Sequence, residues 1–413
     1  MPTASSKPFL YGEGLRPQPE RLVYHETIGG YPCRSRGGVP AALRALALTH
    51  PPRAGLRLLD VGSDAGVNAV YHAVRWGIPP ACASADLLLI DQYRTQLHLN
   101  EISAEPLPLV ELSEAGGGYG CVLLGGVWDR EEYLEYLAAA AAVLIPGGEA
   151  RALVPAGRRL DDYLAAAREA FTSATVTPAC DGSAVITATE PRPGVDWRRY
   201  NPLRTVRANL GGELWEFQTQ GGVFSPDKVE GGARAILDCF AADNTGTVVD
   251  VGCGYGVLGF VLARRLPSAR IIMTDTNLRA IRLAQMNQTR LGIENVEIHY
   301  ADCLAPVTAP VSHIVCNPPY HSDYHFASVL IKTAFTKLSP GGRIWLVMKR
   351  DTWYRNRLEA VFGGVKRTVI GEYTVLYAVK RAAGLSKPTP KQPSRKQQRR
   401  DARVQSSRRK SRR

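Results

Sequence analysis

The chain has 413 residues, of which 45% are hydrophobic and 22% charged, and it carries a formal net charge of +13 at neutral pH. That length exceeds what a single core usually holds, and the apolar share is ordinary for a globular chain, so two packed domains are expected and a wholly disordered or fibrous protein is excluded. The charge is uneven: residues 384–413 hold 12 Lys/Arg against the single acid Asp401, so the rest of the chain is close to neutral and the basicity belongs to a tail.

The chain opens "MPTASSKPFLYGEG", without an apolar signal region. Its longest apolar run, "YLAAAAAVLI" at 136–145, is too short to span a bilayer. The eight cysteines form no Cys-x-x-Cys pair, and several, such as Cys316, sit in apolar runs. They read as reduced, buried side chains, and no metal site is expected. The expectation is a soluble, cytoplasmic monomer without membrane contact.

In chain order, "LRLLDVGSDAGVNAV" (56–70) is a buried strand, a turn and a helix start; "LLLIDQYRTQLHLNE" (87–101) and "AAVLIPGGEARALVP" (141–155) follow. The same three blocks return some 190 residues later, in order, as "GTVVDVGCGYGVLGF" (246–260), "IIMTDTNLRAIRLAQMN" (271–287) and "FTKLSPGGRIWLVMK" (335–349). Three matches in register predict two copies of one domain. Between them, the Pro/Arg-rich "TEPRPGVDWRRYNPLRT" (189–205) reads as a boundary, giving domains at 1–190 and 196–382. From 383 onward the chain has almost no apolar residues and is expected to be disordered.

The second copy alternates strands ("TVVDVG", "ARIIMTD", "VSHIVCN", "RIWLVMK") with helical patterns such as "NLRAIRLAQMNQTRLG", and ends in a hairpin, "KRTVIGEYTVLYAVKR" (366–381). Strand–helix alternation predicts an α/β fold with a mostly parallel sheet covered on both faces. This layout, with its antiparallel end, resembles the Rossmann-like class I S-adenosylmethionine (SAM) methyltransferases.

After the first strand of that copy stand Asp250, Gly252, Gly254 and Gly256. Glycines permit a tight turn and close approach of a ligand. Gly254-x-Gly256-x-x-Gly259 also matches the dinucleotide fingerprint, but the turn begins earlier, at Gly252, in the D-x-G-x-G-x-G form of SAM-type loops. Asp275, followed by Thr276, ends the second strand, where a carboxylate accepts from both ribose hydroxyls; SAM and NAD share that feature. Asp302, followed by Cys303, stands near the end of a third strand. It reads either as an ordinary loop acid or as the acceptor for an adenine amino group.

The fourth strand stops at Asn317-Pro318-Pro319-Tyr320. Prolines end ladder pairing and push the preceding residue extended. The Asn317 side-chain oxygen and the Pro318 carbonyl can accept from the two N–H groups of a planar exocyclic amine, localise its lone pair, and stabilise the positive charge that develops on methylation. Pro318 and Pro319 hold this clamp stiff, and Tyr320 offers a face for an extruded base. The first copy has lost both features: its loop, Asp60 to Gly66, lacks the middle glycine, and "CVLLGGVWD" (121–129) stands where the clamp would be. It is expected to be catalytically dead, positioning RNA or stabilising the second copy.

Over roughly residues 20–381 the chain resembles the bacterial ribosomal-RNA guanine-N2 methyltransferases of the RsmC/RlmG type. The resemblance rests on the duplicated plan with a degenerate first half, on "GGVFSPDKVEGGARAILD" (221–238) and on "CNPPYH" (316–321). Tyr320 replaces the family's usual Phe. The resemblance implies transfer of a methyl group from SAM to N2 of a guanosine in rRNA, with the small subunit the expected target and rRNA or a ribosomal subunit the partner. It further implies that Phe224, Ser225 and Lys228 border the cofactor pocket; the rival reading of Ser225-Pro226 is a helix start. His321 is a candidate for the base pocket. The clamp alone also fits adenine N6, cytosine N4 or a glutamine amide, and a non-catalytic ribosome-binding module is the alternative of another class. An NAD-dependent reductase is disfavoured by the clamp. The tail, without aromatics, is expected to bind phosphates without reading sequence.

Overall fold

The computed structural model describes residues 24–28, 31–35, 55–63, 66–77, 80–125, 129–179, 182–241, 246–318 and 324–381. The basic tail, Pro319, Tyr320 and His321 lie outside the described residues.

A short hairpin, β1 (Tyr24–Ile28) and β2 (Tyr31–Ser35), precedes the first sheet. That sheet contains β3 (Leu58–Val61), β4 (Ala81–Ser84), β5 (Leu107–Pro108), β6 (Tyr119–Leu124), β7 (Leu144–Pro155), β8 (Phe171–Pro178) and β9 (Ser183–Pro191). Its helices are α1 (Val67–Trp76), α2 (Leu87–Leu99), α3 (Arg130–Val143) and α4 (Leu160–Ala170). After the hairpin β10 (Arg204–Leu210) and β11 (Glu213–Thr219) comes the second sheet. Its strands are β12 (Thr247–Val251), β13 (Arg270–Asp275), β14 (Val296–Tyr300), β15 (Val311–Cys316), β16 (Leu338–Met348), β17 (Lys366–Ile370) and β18 (Tyr373–Val379). Its helices are α5 (Gly231–Cys239), α6 (Val257–Arg265), α7 (Leu278–Leu291), α8 (Tyr324–Lys337) and α9 (Thr352–Phe362).

The two seven-stranded sheets share one order, β5-β4-β3-β6-β7-β9-β8 and β14-β13-β12-β15-β16-β18-β17. In each, four pairings are parallel and the last two antiparallel. The chain steps outward from β12 to β14, then returns to lay β15 on the other side of β12. The carboxyl ends of β12 and β15 therefore border a crevice where the strand order reverses, the position at which open α/β sheets bind ligands.

Alternation along buried strands divides the second core between the two faces. Val248, Ile271, Met273 and Trp345 pack on one side with Phe260, while Val249, Val251, Ile314 and Leu346 pack on the other. Asn277 caps α7 by accepting from Arg279 and Ala280 N–H, and Gly292, at φ 62°, ends it.

The β10–β11 hairpin starts where the Pro/Arg-rich boundary stretch (189–205) ends, inside the range expected for the second domain. It turns on Gly211 and Gly212, both at positive φ as a two-residue hairpin loop requires. It buries Val206, Trp215 and Phe217 in the second core, the last two rings stacked at 5.7 Å.

The halves are joined at equivalent strand–helix junctions. Leu87 N–H donates to the Thr276 carbonyl and Leu278 N–H to the Ala85 carbonyl, each at 2.8 Å. Beside this bridge Arg279 of α7 is almost wholly buried. It donates to Glu135 (2.9 Å) and, longer, Glu132 (3.3 Å) of α3, to Gln220 (2.9 Å) and to the Val110 carbonyl (3.1 Å). Among the described residues no helix is long and apolar enough to cross a membrane.

Candidate functional site

A cavity of about 340 Å³ opens at the carboxyl ends of β12, β13 and β15. Its wall contains Gly252, Cys253, Gly254, Asp275, Thr276, Asp302, Cys303, Phe224, Ser225, Asn317 and Pro318, so most of the sequence-predicted site converges there.

The glycine loop is held from behind. Gly252 and Cys253 N–H groups donate to the Thr274 carbonyl, at 2.8 and 3.0 Å, and Gly254 N–H donates to Asp275 Oδ2 at 2.8 Å. Gly252 and Gly254 take φ 71° and 56°, and a Cβ at either would meet nothing within 4 Å. Backbone conformation demands these glycines, and the space they leave is open to a ligand.

Asp250 and Gly256 do not join the cavity wall. Asp250 is fully buried, and its Oδ2 accepts the Gly259 N–H at 2.9 Å, tying β12 to the first turn of α6. Burial pushes its carboxyl up to about 7. Gly256 starts α6 at φ 103°, and a side chain there would strike the Phe260 ring. Both shape the loop from behind.

Asp275 ends β13 and also accepts the Asn277 N–H, at 2.9 Å, so its carboxylate is oriented by two backbone donors. Burial raises its pKa. Asp302 lies two residues beyond β14 and is likewise raised by burial. Cys303 holds a left-handed φ of 45°, and its carbonyl accepts from Thr274 Oγ1 at 2.8 Å. Such backbone strain concentrates at functional sites.

Phe224 stands half exposed at the rim. Ser225 is also left-handed, φ 52°, and its hydroxyl donates to the Lys228 carbonyl at 2.7 Å. Helix α5 begins only at Gly231, so the helix-start reading of Ser225-Pro226 is not realised. The exposed Lys228 lies outside the cavity wall; its carbonyl helps hold the loop.

Asn317 and the buried Pro318 follow β15 directly. Asn317 Nδ2 donates to Glu230 Oε2 at 2.9 Å. Glu230, which also faces the cavity, escaped the sequence reading, as did Tyr255, Asn277, Phe326 and Leu88. Leu88 belongs to α2 of the first half, and no local pattern could join it to a site in the second. Glu230 did leave a signal, a carboxylate directly before a helix, where it accepts the Gly232 N–H at 2.7 Å.

Among the described residues no group of three His, Cys, Asp or Glu could hold a metal ion. Cys82, Cys121, Cys253, Cys303 and Cys316 are free and buried, and Cys239 is free and partly buried.

In the first half, Ser63 takes the place beside Gly62 and is fully buried, hydrogen-bonded to Asp60 and, at 3.1 Å, to Asn68. The Tyr93 ring packs against Gly66. Gly66 is thus backed by an aromatic ring, as Gly256 is by Phe260 in the second half.

Residues 214–377 match the family model of the methyltransferase small domain. Among curated relatives, ribosomal RNA large subunit methyltransferase G of Shewanella loihica is 31% identical over 40% of this chain and 45% of its own length. Ribosomal RNA small subunit methyltransferase C of Hahella chejuensis is 30% identical over 43% of this chain and 51% of its own. The chain thus spans about half the length of these two. It covers 80% of YbxB of Bacillus subtilis at 32% identity. Among solved structures, a T. thermophilus 16S rRNA N2 methyltransferase (RsmC), in complex with AdoMet and guanosine, superposes with a TM-score of 0.73. That match covers 87% of this chain and 98% of the other at 22% identity, a likeness of fold across both halves. Through its second half, the chain belongs to the methyltransferase small domain family.

Proposed function

We propose that the chain methylates the exocyclic N2 amine of a guanosine in ribosomal RNA, with small-subunit rRNA the expected target and S-adenosyl-L-methionine the cofactor. The observation that carries this reading is that Asn317 and Pro318 stand in the wall of the same cavity as the glycine loop, Asp275 and Asp302.

The residues fit that cofactor. Asp275 supplies a carboxylate for ribose hydroxyls, Asp302 a second acceptor, and Leu88, Leu258 and Ala280 apolar walls. The open space beside Gly252 and Gly254 admits close approach. When bound, the cofactor supplies an electrophilic methyl group on a sulfonium sulfur. Asn317 and the Pro318 carbonyl accept the amine's two N–H groups, so that its lone pair leaves the ring system and becomes nucleophilic. Because Pro318 is buried and its ψ is restricted by the proline that follows it in sequence, that carbonyl is oriented before the amine arrives. As positive charge grows on the nitrogen, both oxygens stabilise it. Tyr320, two residues on in sequence, is assigned the stacking face for the target base, and Pro319 and His321 are assigned to the same base site.

Residues 1–190 are read as a non-catalytic copy, 196–382 as the catalytic one and 383–413 as a phosphate-binding tail. The common strand order of the two sheets supports duplication. The replacement of the middle glycine by Asp64 in the first half supports its loss of cofactor binding. The junction bridge and Leu88 favour a bracing role for that half over RNA positioning.

The test is an assay with methyl-labelled SAM on unmodified rRNA, DNA and peptide, followed by nucleoside analysis. N2-methylguanosine in the rRNA is the expected product. Label on adenine, cytosine or peptide, or no transfer to any of the three, overturns the reading.

A further inference from the structure

We infer that Glu230 is a positioning residue that fixes which end of the Asn317 amide is offered to the substrate amine. The inference rests on the reading of this cavity as an amine-methylation site. An amide clamp has an intrinsic ambiguity. Its two ends are nearly the same size but opposite in chemistry: the oxygen accepts a hydrogen bond from an amine, whereas the NH2 end donates and would oppose it. Something must choose between them.

Glu230 makes that choice by elimination. An ionised carboxylate has no proton to donate, so the Asn317 atom 2.9 Å from Oε2 has to be the donating nitrogen. The amide oxygen is then the end that meets the amine. The carboxylate is itself held on both oxygens. Oε2 also accepts the Gly232 N–H at 2.7 Å, and Oε1 accepts the Tyr373 hydroxyl at 2.8 Å. Tyr373 stays a donor across the working range, because burial and the neighbouring Glu230 carboxylate both push its phenol well up.

Three elements distant in sequence therefore meet at one carboxylate: the N-terminus of α5, the end of β15 and the start of β18. The intervening Gly231 is part of the arrangement, since a Cβ there would lie 2.5 Å from the Tyr373 ring. Glu230 also borders the cavity, so its charge acts on the clamp directly. A charge-assisted hydrogen bond to Nδ2 is stronger than a neutral one and draws electron density toward the amide oxygen. Glu230 thereby both orients the acceptor and strengthens it as the substrate nitrogen becomes cationic.

The test is a double-substitution cycle in the full chain, read with methyl-labelled SAM and rRNA, with SAM affinity and melting temperature measured beside it. Glu230→Gln keeps the size and one acceptor but loses the charge, and is expected to lower kcat by about 10- to 100-fold, the scale of removing a group that orients a site residue. SAM affinity and the KM for RNA are expected to change less than about threefold. In an Asn317→Ala background, Glu230→Gln is expected to have no further effect, because both changes act through one amide. A kcat within twofold of the parent for Glu230→Gln, while Asn317→Ala is strongly impaired, overturns the inference and leaves the function standing. Multiplicative losses in the double variant overturn it as well, since Glu230 would then act independently of the clamp. If the unmodified protein transfers no methyl group to rRNA, the function itself fails. Tyr373→Phe, which removes one orienting donor and leaves the carboxylate, is expected to give a smaller loss of kcat in the same direction.

Discussion

Asn317 and Asp275 share one cavity but have different partners, and their substitutions should separate. Asn317→Ala removes one preorganised acceptor and is expected to lower turnover by roughly 10²–10³ while SAM binding persists. Asp275→Ala also frees the Gly254 and Asn277 N–H groups that the carboxylate holds, so it is expected to weaken SAM binding. Calorimetric titration beside single-turnover kinetics distinguishes them; equal loss of binding in both variants would contradict the division of roles. Asp250 is a different kind of residue. Its carboxyl, raised by burial from 3.8 to about 7, holds its proton more tightly in the folded chain than in the unfolded one. As pH climbs, the unfolded chain releases that proton first, so this contribution to stability is complete below about 4 and lost as pH rises through about 7. A side-chain amide in its place does not titrate: for Asp250→Asn, the melting temperature is expected to fall less steeply than the parent's from pH 4 to 7. Asp60, shifted to the same value in the first half, keeps part of the slope. Parallel melting curves for variant and parent would contradict the assignment.

At the scale of elements, the strands ending at Asp275 and Cys316 and the final hairpin are legible in the sequence, because buried β-branched runs bounded by glycine or proline have few other readings. The placement of Asn317 and Pro318 at the cavity is legible for a similar reason, since they follow the strand end directly. The β10–β11 hairpin is hidden despite its visible Gly-Gly turn, because the Pro/Arg-rich stretch before it reads as a boundary. Glu230 and Leu88 are harder, since their roles exist only once separate elements meet. The same is true of Arg279, whose helical position gives no sign that it will be buried against α3 of the other half. Burial pushes Glu132 up to about 7 against the pull of Arg279, so the ion pair is working against desolvation. Arg279→Ala leaves Glu132 and Glu135 without their cation and is expected to cost about 3–5 kcal/mol in urea unfolding. A loss below about 1 kcal/mol would mean that this junction does not hold the halves together.

At the scale of the whole molecule, the repeat in the sequence corresponds to two sheets of identical order. What the sequence could not reveal is that the two halves meet at equivalent junctions, so that one contributes to the wall of the other's cavity. The basic tail is expected to add a separate, sequence-independent term to the proposed RNA binding. Removing 384–413, with its 12 Lys/Arg, is expected to flatten the dependence of RNA affinity on salt; an unchanged slope would take the tail out of the mechanism. A crystal structure of the full chain with S-adenosyl-L-methionine bound decides between the two halves and locates the methyl group. The ligand is expected in the second half, its ribose at Asp275 and its sulfonium methyl facing Asn317 and Pro318. A ligand seated in the first half, or a methyl group directed away from Asn317, would contradict this expectation.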